Sequence, residues 1–240
     1  MSLKRLCNRL LQQRHYRAAV KRLRALEMQL PAPHTRLAVP FLFRAHGFYK
    51  SIRPMQSQFE IGELYQTVLG RKPKVVLEIG TCHGGTLYLW CQAADPHAAI
   101  ISIDLPEGEF GGGYPDCRAQ FYQSFATGLQ QIHLLRANSH SPGTTGQIQK
   151  LLAGRTIDFL FIDGDHTYAG VKQDFELYSR LLSKDGLIAL HDIVPRPDEP
   201  RIEVWKFWHE LKQRVPGARE WLDKSPNGRC IGIGLLPAQT

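Results

Sequence analysis

The chain has 240 residues, 43% of them hydrophobic and 22% charged, a composition that suits one packed globular domain and excludes a disordered chain. No apolar run reaches the ~20 residues that a membrane span needs. The net charge of +8 is unevenly placed: residues 1–53 hold twelve Lys or Arg and one acid, Glu27, a balance of +11, so the remainder stands at −3. Any argument for an anionic partner therefore concerns the N-terminal arm alone.

The opening segment Met1-Ser2-Leu3-Lys4-Arg5-Leu6 has no apolar core and no small-residue cleavage site, so a secretory leader is not expected. Five cysteines (Cys7, Cys82, Cys91, Cys117 and Cys230) lack paired-ligand spacing. They read as reduced thiols of a cytoplasmic protein rather than as a disulfide framework or zinc site.

Residues 3–29 read as a basic helix, with Leu3, Leu6, Leu10, Leu11, Val20, Leu23 and Leu26 set among Arg and Lys. Pro31 and Pro33 stop it, and a linker rich in Pro, Arg and aromatics runs to Pro54. Residues 1–54 thus form a helical extension and 55–240 the main domain. Three roles are open for the extension: lying on an anionic membrane, binding RNA phosphates, or packing on the body.

From residue 55 helices alternate with short apolar strands. Gln58 to Leu69 has helical spacing and is expected to stop at Gly70. Five strands follow, at 74–80, 99–104, 131–136, 157–163 and 186–192, with helices at about 84–94, 116–128, 144–153, 168–182 and 202–213. Ile231 to Leu235 reads as one last strand. Near-continuous apolar strands between helices mean a mostly parallel, doubly wound α/β sheet covered on both faces.

Ligands of such sheets bind at the carboxyl ends of the strands. The turn Glu78-Ile79-Gly80-Thr81-Cys82-His83-Gly84-Gly85 joins the first strand to a helix, and its glycines allow close backbone approach. Asp104 ends the next strand, 24 residues beyond Gly80, where a carboxylate grips ribose hydroxyls. The spacing is not G-x-G-x-x-G, because Cys82 takes the second glycine's place. Glu78 suits an ammonium group better than a pyrophosphate. The plain alternative is a tight turn with no ligand.

The runs Val76-Leu77-Glu78-Ile79-Gly80-Thr81, Ile103-Asp104, Phe161-Ile162-Asp163-Gly164-Asp165-His166-Thr167-Tyr168 and Leu187-Ile188-Ala189-Leu190-His191-Asp192 together resemble class I S-adenosylmethionine-dependent methyltransferases. More narrowly, they are similar to the branch of macrocin and rhamnosyl O-methyltransferases and cephalosporin-hydroxylase-like proteins. The resemblance covers residues 55–215. It implies a Rossmann-like sheet of seven strands with the last antiparallel, and S-adenosyl-L-methionine as cofactor. It also implies a pocket lined by Glu78, Gly80, Asp104 and the Ala137-Asn138-Ser139 turn. Thr81, Gly84, Gly85 and Asp163 complete the expected cofactor set.

Asp163, Asp165 and His166 follow the fourth strand, and His191 and Asp192 end the fifth. Methyl transfer needs a nucleophile held in line and stripped of its proton. By the resemblance, His166 is the base, with Asp163 and Asp165 beside it as the catalytic group. Asp163, His191 and Asp192 could hold a divalent metal. The resembling enzymes carry an acidic pair or Asp-Asn after the fifth strand, whereas this chain has His191-Asp192, and imidazole favours a transition metal over magnesium. Plainer roles stay open: Asp165 or Thr167 as helix cap, and His191 as a satisfied core side chain.

The loop Glu109-Phe110-Gly111-Gly112-Gly113-Tyr114-Pro115 suggests a flap, with Phe110 or Tyr114 as its contact. Two classes of function follow. One is an O-methyltransferase acting on a hydroxyl of a small molecule or glycan. The other is a non-catalytic module docking on membrane, RNA or a protein through the basic arm. A homo-oligomer is compatible with either.

Overall fold

Strand polarity and side-chain alternation set the architecture. The structure is a computed structural model that describes residues 3–226, 228 and 230–238; Met1, Ser2 and the Cys7 side chain lie outside it. Helices α1 (Leu3–Gln29), α2 (Ala38–Leu42) and α3 (Gln58–Arg71) precede β1 (Val75–Ile79). Then come α4 (Gly85–Ala93), β2 (Ala99–Asp104), α5 (Ala119–Gln123), β3 (Gln131–Arg136), α6 (Pro142–Leu152) and β4 (Ile157–Ile162). The chain continues through α7 (Tyr168–Tyr178), β5 (Leu182–His191), α8 (Val204–Arg214), β6 (Arg219–Trp221) and β7 (Ile233–Pro237).

The sheet has seven strands in the order β3-β2-β1-β4-β5-β7-β6. The first five pair in parallel, while β7 runs antiparallel to β5 and β6. This is the doubly wound Rossmann-like sheet expected, with its switch in strand order between β1 and β4.

Alternation divides the core into two layers. Val76, Ile100, Phe159, Phe161 and Ala189 face one side, under Trp90 and Leu89 of α4, Leu64 and Tyr65 of α3, and Leu23 and Leu26 of α1. Leu77, Ile101, Leu160, Ile188 and Leu190 face the other, under α6, α7 and α8. The basic helix therefore contributes to the same core as the sheet. Ala19, Leu23 and Leu26 are buried, and Glu27 accepts from the Tyr88 hydroxyl at 3.3 Å.

Several expected boundaries move. Gly70 lies inside α3; the helix ends at Lys72, which takes the left-handed conformation (φ 49°) just before Pro73. The stretch 116–128 is a 3-10 turn at Asp116–Arg118 followed by the five residues of α5. The helix read over 168–182 ends at Tyr178, and β5 starts at Leu182 with four polar or half-exposed residues. The last strand is shifted to Ile233–Pro237, and β6, three residues with one buried, carries no apolar run to mark it. Among the described residues, no helix is long and apolar enough to cross a membrane.

Candidate active site

A cavity of about 730 Å³ opens at the carboxyl ends of β1, β2, β4 and β5, a volume that suits a small organic ligand or cofactor. Its walls bring together Gly80, Asp104, Asn138, Ser139, Asp163, Asp165, His166, His191 and Asp192 from the expected set. Glu78, Thr81, Gly84 and Gly85 do not reach that wall.

The reasons are geometric. Glu78 shares the Val76 face of β1, two residues short of the rim, and is fully buried. Its carboxylate accepts from Trp90 Nε1 at 3.0 Å and Ser102 Oγ at 2.6 Å. Burial raises its pKa to about 7, with Ser102, Thr86 and Trp90 opposing the rise. Thr81 is likewise tied to Ser102, at 2.5 Å between hydroxyl oxygens. Gly84 (φ +78°) caps α4 against Tyr122, and a side chain on Gly85 would meet the Ile52 carbonyl. These glycines serve packing.

Gly80 is different. Its φ is +97°, and an added Cβ would fall 1.9 Å from the Asp163 carbonyl oxygen, so β1 and β4 can converge at the rim only with glycine there. Gly80→Ala should lower the thermal midpoint by roughly 5 °C or more, since left-handed strain and the backbone clash together cost about 2 kcal/mol or more. An unchanged midpoint in scanning calorimetry would contradict this reading.

On the β2 side, Asp104 is 3% exposed. Its Oδ2 accepts from the backbone N–H groups of Cys82 (3.2 Å) and Tyr114 (3.3 Å). Burial raises its pKa, opposed by the N–H groups of Gly113, Tyr114 and Cys82. Asn138 is partly committed, its side-chain oxygen accepting from His140 N at 2.8 Å. The Ser139 carbonyl accepts from the Tyr178 hydroxyl at 2.6 Å.

The opposite rim is a cluster of imidazoles and carboxylates. His191 Nδ1 lies 2.9 Å from Asp163 Oδ1 and 3.1 Å from Asp192 Oδ2. Asp192 sits in the left-handed region (φ 59°), which turns its carboxylate back toward His191. Burial favours neutral imidazole, but the carboxylates of Asp163 and Asp192 overcome it and raise the His191 pKa to about 10. Burial works against ionised Asp192 too, yet the His191 cation holds its pKa down at about 2.

These shifts fix a pH dependence. Unfolded histidine titrates near pH ~6.5, so the raised folded value adds stability that is full below that pH and lost as pH rises through about 10. For Asp192 the added stability is present above pH ~3.9 and lost as pH falls through about 2. The difference in thermal midpoint between the wild type and His191→Gln should therefore shrink steadily from pH 6 to pH 10. A constant difference would contradict the charged pair.

His166 stands beside this cluster, half-buried. Its Nδ1 is 3.3 Å from Asp192 Oδ2 and its Nε2 3.5 Å from Asp163 Oδ1. Its carbonyl is anchored by Glu203 N at 2.7 Å. Phe110 stacks on the ring, with centroids 4.8 Å apart and 14° between planes, and Arg201 lies over Phe110. Of the two aromatic residues of this loop, Phe110 makes the contact with His166, while Tyr114 is buried and packs edge-on against Tyr122.

Asp165 lies just before α7. Its Oδ1 accepts from Thr167 N (2.9 Å) and Thr167 Oγ1 (2.8 Å), and Thr167 Oγ1 caps α7 by accepting from Gly170 N. Although Asp165 lines the cavity, its carboxylate is held at the start of a helix. Sequence reasoning missed Gln56, whose Nε2 donates to Asp163 Oδ2 at 2.6 Å. It arrives from the segment before α3, 107 residues away, with no motif to mark it.

Asp163, His191 and Asp192 place one donor atom each within 4.8 Å of one another. Two carboxylate oxygens and an imidazole suit a transition metal better than magnesium. A proton on His191 Nδ1 satisfies the same three atoms.

Comparison with known proteins agrees with this architecture. The sequence profile of a family described as a methyltransferase domain matches residues 77–193, which span the glycine turn, Asp104 and the whole rim cluster. Fold and match point the same way: over these residues the chain is similar to that family, and its sheet is the Rossmann-like one. The sequence is 27% identical over 173 residues to the uncharacterized protein y4gI of Sinorhizobium fredii, covering 69% of this chain and 18% of that one. It is 29% identical over 147 residues to the uncharacterized protein R132 of Acanthamoeba polyphaga mimivirus, covering 58% and 61%. The chain thus spans under a fifth of one curated relative and about three fifths of the other. Among solved structures, the O-methyltransferase TomG of Streptomyces achromogenes, involved in tomaymycin synthesis and determined with S-adenosylmethionine, shares the fold. It has a TM-score of 0.52 at 18% identity, over 74% of this chain and 78% of that one.

Proposed function

We propose that this protein transfers the methyl group of S-adenosylmethionine to a hydroxyl of a small molecule or glycan, with residues 55–240 carrying the reaction in the cytoplasm. The cofactor would lie along the cavity from Asp104 and Asn138–Ser139 to Gly80 and Asp163, its ribose hydroxyls donating to Asp104. The cofactor would supply an electrophilic methyl group in exchange for its carbon–sulfur bond, and His166 would take the proton of the acceptor hydroxyl, with Asp163 and Asp192 beside the resulting imidazolium. The observation that carries this reading is the placement of His166: an imidazole on the cavity wall, 3.3 and 3.5 Å from two carboxylates that stabilise the cation it becomes. The run Ile162-Asp163-Gly164-Asp165-His166-Thr167-Tyr168 supports the macrocin-type and rhamnosyl branch, and so a sugar hydroxyl. The four free thiols Cys82, Cys91, Cys117 and Cys230 support the cytoplasmic setting. The titrant is tritiated or deuterated cofactor with pooled sugar and phenol acceptors; label moving to a carbon-bound or nitrogen-bound product instead would overturn the hydroxyl assignment.

Asp104→Ala should weaken S-adenosylhomocysteine binding by about 1–3 kcal/mol, the value of hydrogen bonds to a charged acceptor. Equal affinity of wild type and variant in calorimetry would move the ribose elsewhere.

A second reading rests on the donor triad. Asp163, His191 and Asp192 would hold a divalent transition metal in place of the bridging proton, and such an ion lowers the pKa of a bound hydroxyl. Under this reading chelator removes activity and manganese or zinc restores it. Full activity in chelator leaves positioning and His166 to carry the reaction.

A further inference from the structure

The opposite charge balance of arm and body leaves one surface that the reaction does not use. On α1, Leu10, Arg14, Arg17 and Lys21 recur at helical spacing on one stripe and are exposed, while Ala19, Leu23 and Leu26 on the other side are buried in the core. Arg9, Leu11 and Arg22 flank the stripe, also exposed. The short turn Gly47–Tyr49 packs on this helix, with Tyr49 against Tyr16 at 6.0 Å, and directs Phe48 outward. Leu10 and Leu11 are 59% and 50% exposed.

The region's one acid does not neutralise this face. Glu27 is buried and held by Arg24 at 2.6 Å and Arg36 at 3.5 Å. Among the described residues, no carboxylate is in ion-pair range of Arg9, Arg14, Arg17, Lys21 or Arg22.

We propose that this face of α1 docks the protein on an anionic lipid bilayer. Single exposed apolar side chains are ordinary on a protein surface. Leu10 and Leu11 set among five cations offer aliphatic groups to the acyl boundary and cations to the headgroups. A second copy of the chain is a poorer occupant, because a two-fold contact would set this cationic face against itself. RNA would use the cations but leave Leu10 and Leu11 in water. The body carries a balance of −3, so an anionic surface attracts the arm rather than the body. The inference stands apart from the proposed reaction.

Flotation of the full chain with vesicles tests it. Binding is expected to phosphatidylcholine vesicles containing about a third phosphatidylserine and not to phosphatidylcholine alone, weakening as salt rises. Each cation near such a surface is worth about fivefold in partitioning, so the pair Arg14→Ala and Arg17→Ala should lower it about 30-fold. Leu10→Gln with Leu11→Gln should abolish the fraction that survives high salt. All four positions are exposed, so the thermal midpoint should not move. Several results would overturn the proposal: no binding to the anionic vesicles, equal binding to both kinds, tighter Arg14- and Arg17-dependent binding to transfer RNA, or a dimer that the leucine variant dissolves.

Discussion

His166→Ala is expected to lower methyl transfer about 100-fold, a loss of about 2.7 kcal/mol of transition-state stabilisation. The effect should fall equally on kcat and kcat/KM, because the proton moves only as the acceptor oxygen reacts. S-adenosylhomocysteine affinity should stay nearly constant, since the proposed ribose acceptor Asp104 ends β2, which β1 separates from the strand that leads to His166. Asp192→Asn provides an internal check. It keeps the shape near His166 but removes one of the two carboxylates that favour the imidazolium, so turnover should fall by less than in His166→Ala. A His166→Ala enzyme with near-normal turnover would remove the base from this side chain.

Removal of residues 1–30 is expected to leave a chain that does not hold its native fold. The deletion strips Ala19, Leu23 and Leu26 from a core shared with Tyr49, Tyr88 and Phe121. It also removes the bond from Arg24 to the Ser124 carbonyl and the Glu27 acceptor of Tyr88. The single change Leu23→Ala isolates the packing part. A fully buried leucine cut to alanine costs about 3 kcal/mol, which at 2–4 °C per kcal/mol lowers the midpoint by roughly 6–12 °C. A truncated protein unfolding at the wild-type midpoint would show that the arm merely rests on the body.

The parts of the fold legible in the sequence were those with one physical signature. Strands β1, β2 and β4 are buried on both faces, so their apolar runs stand out against the helices between them. Strand β6 has no such run, because Arg219 and Glu220 face solvent and only Trp221 is buried. The start of β5 was hidden for a similar reason: Ser183, Lys184 and Asp185 carry the strand through a polar edge before Gly186. The stop at Lys72 follows from Pro73, which bars helix in the residue before it more firmly than Gly70 ends one.

The candidate site divides in the same way. Asp104, Asp163, His166, His191 and Asp192 were readable because each ends a strand or follows one directly, and parallel strands deliver their ends to one rim. Glu78 misleads because strand alternation, not proximity to the glycine turn, decides its direction. Asp165 lines the cavity and also accepts from Thr167, the cap of α7, a local tie that the sequence leaves open. Gln56 and Phe110 arrive from segments far away in sequence, and only the folded chain shows that they touch Asp163 and His166.

Calorimetric titration of the full chain with S-adenosylhomocysteine tests the central claim most directly. One site per chain, unaffected by an excess of NAD, is the predicted result. Binding of NAD with no binding of S-adenosylhomocysteine would contradict it.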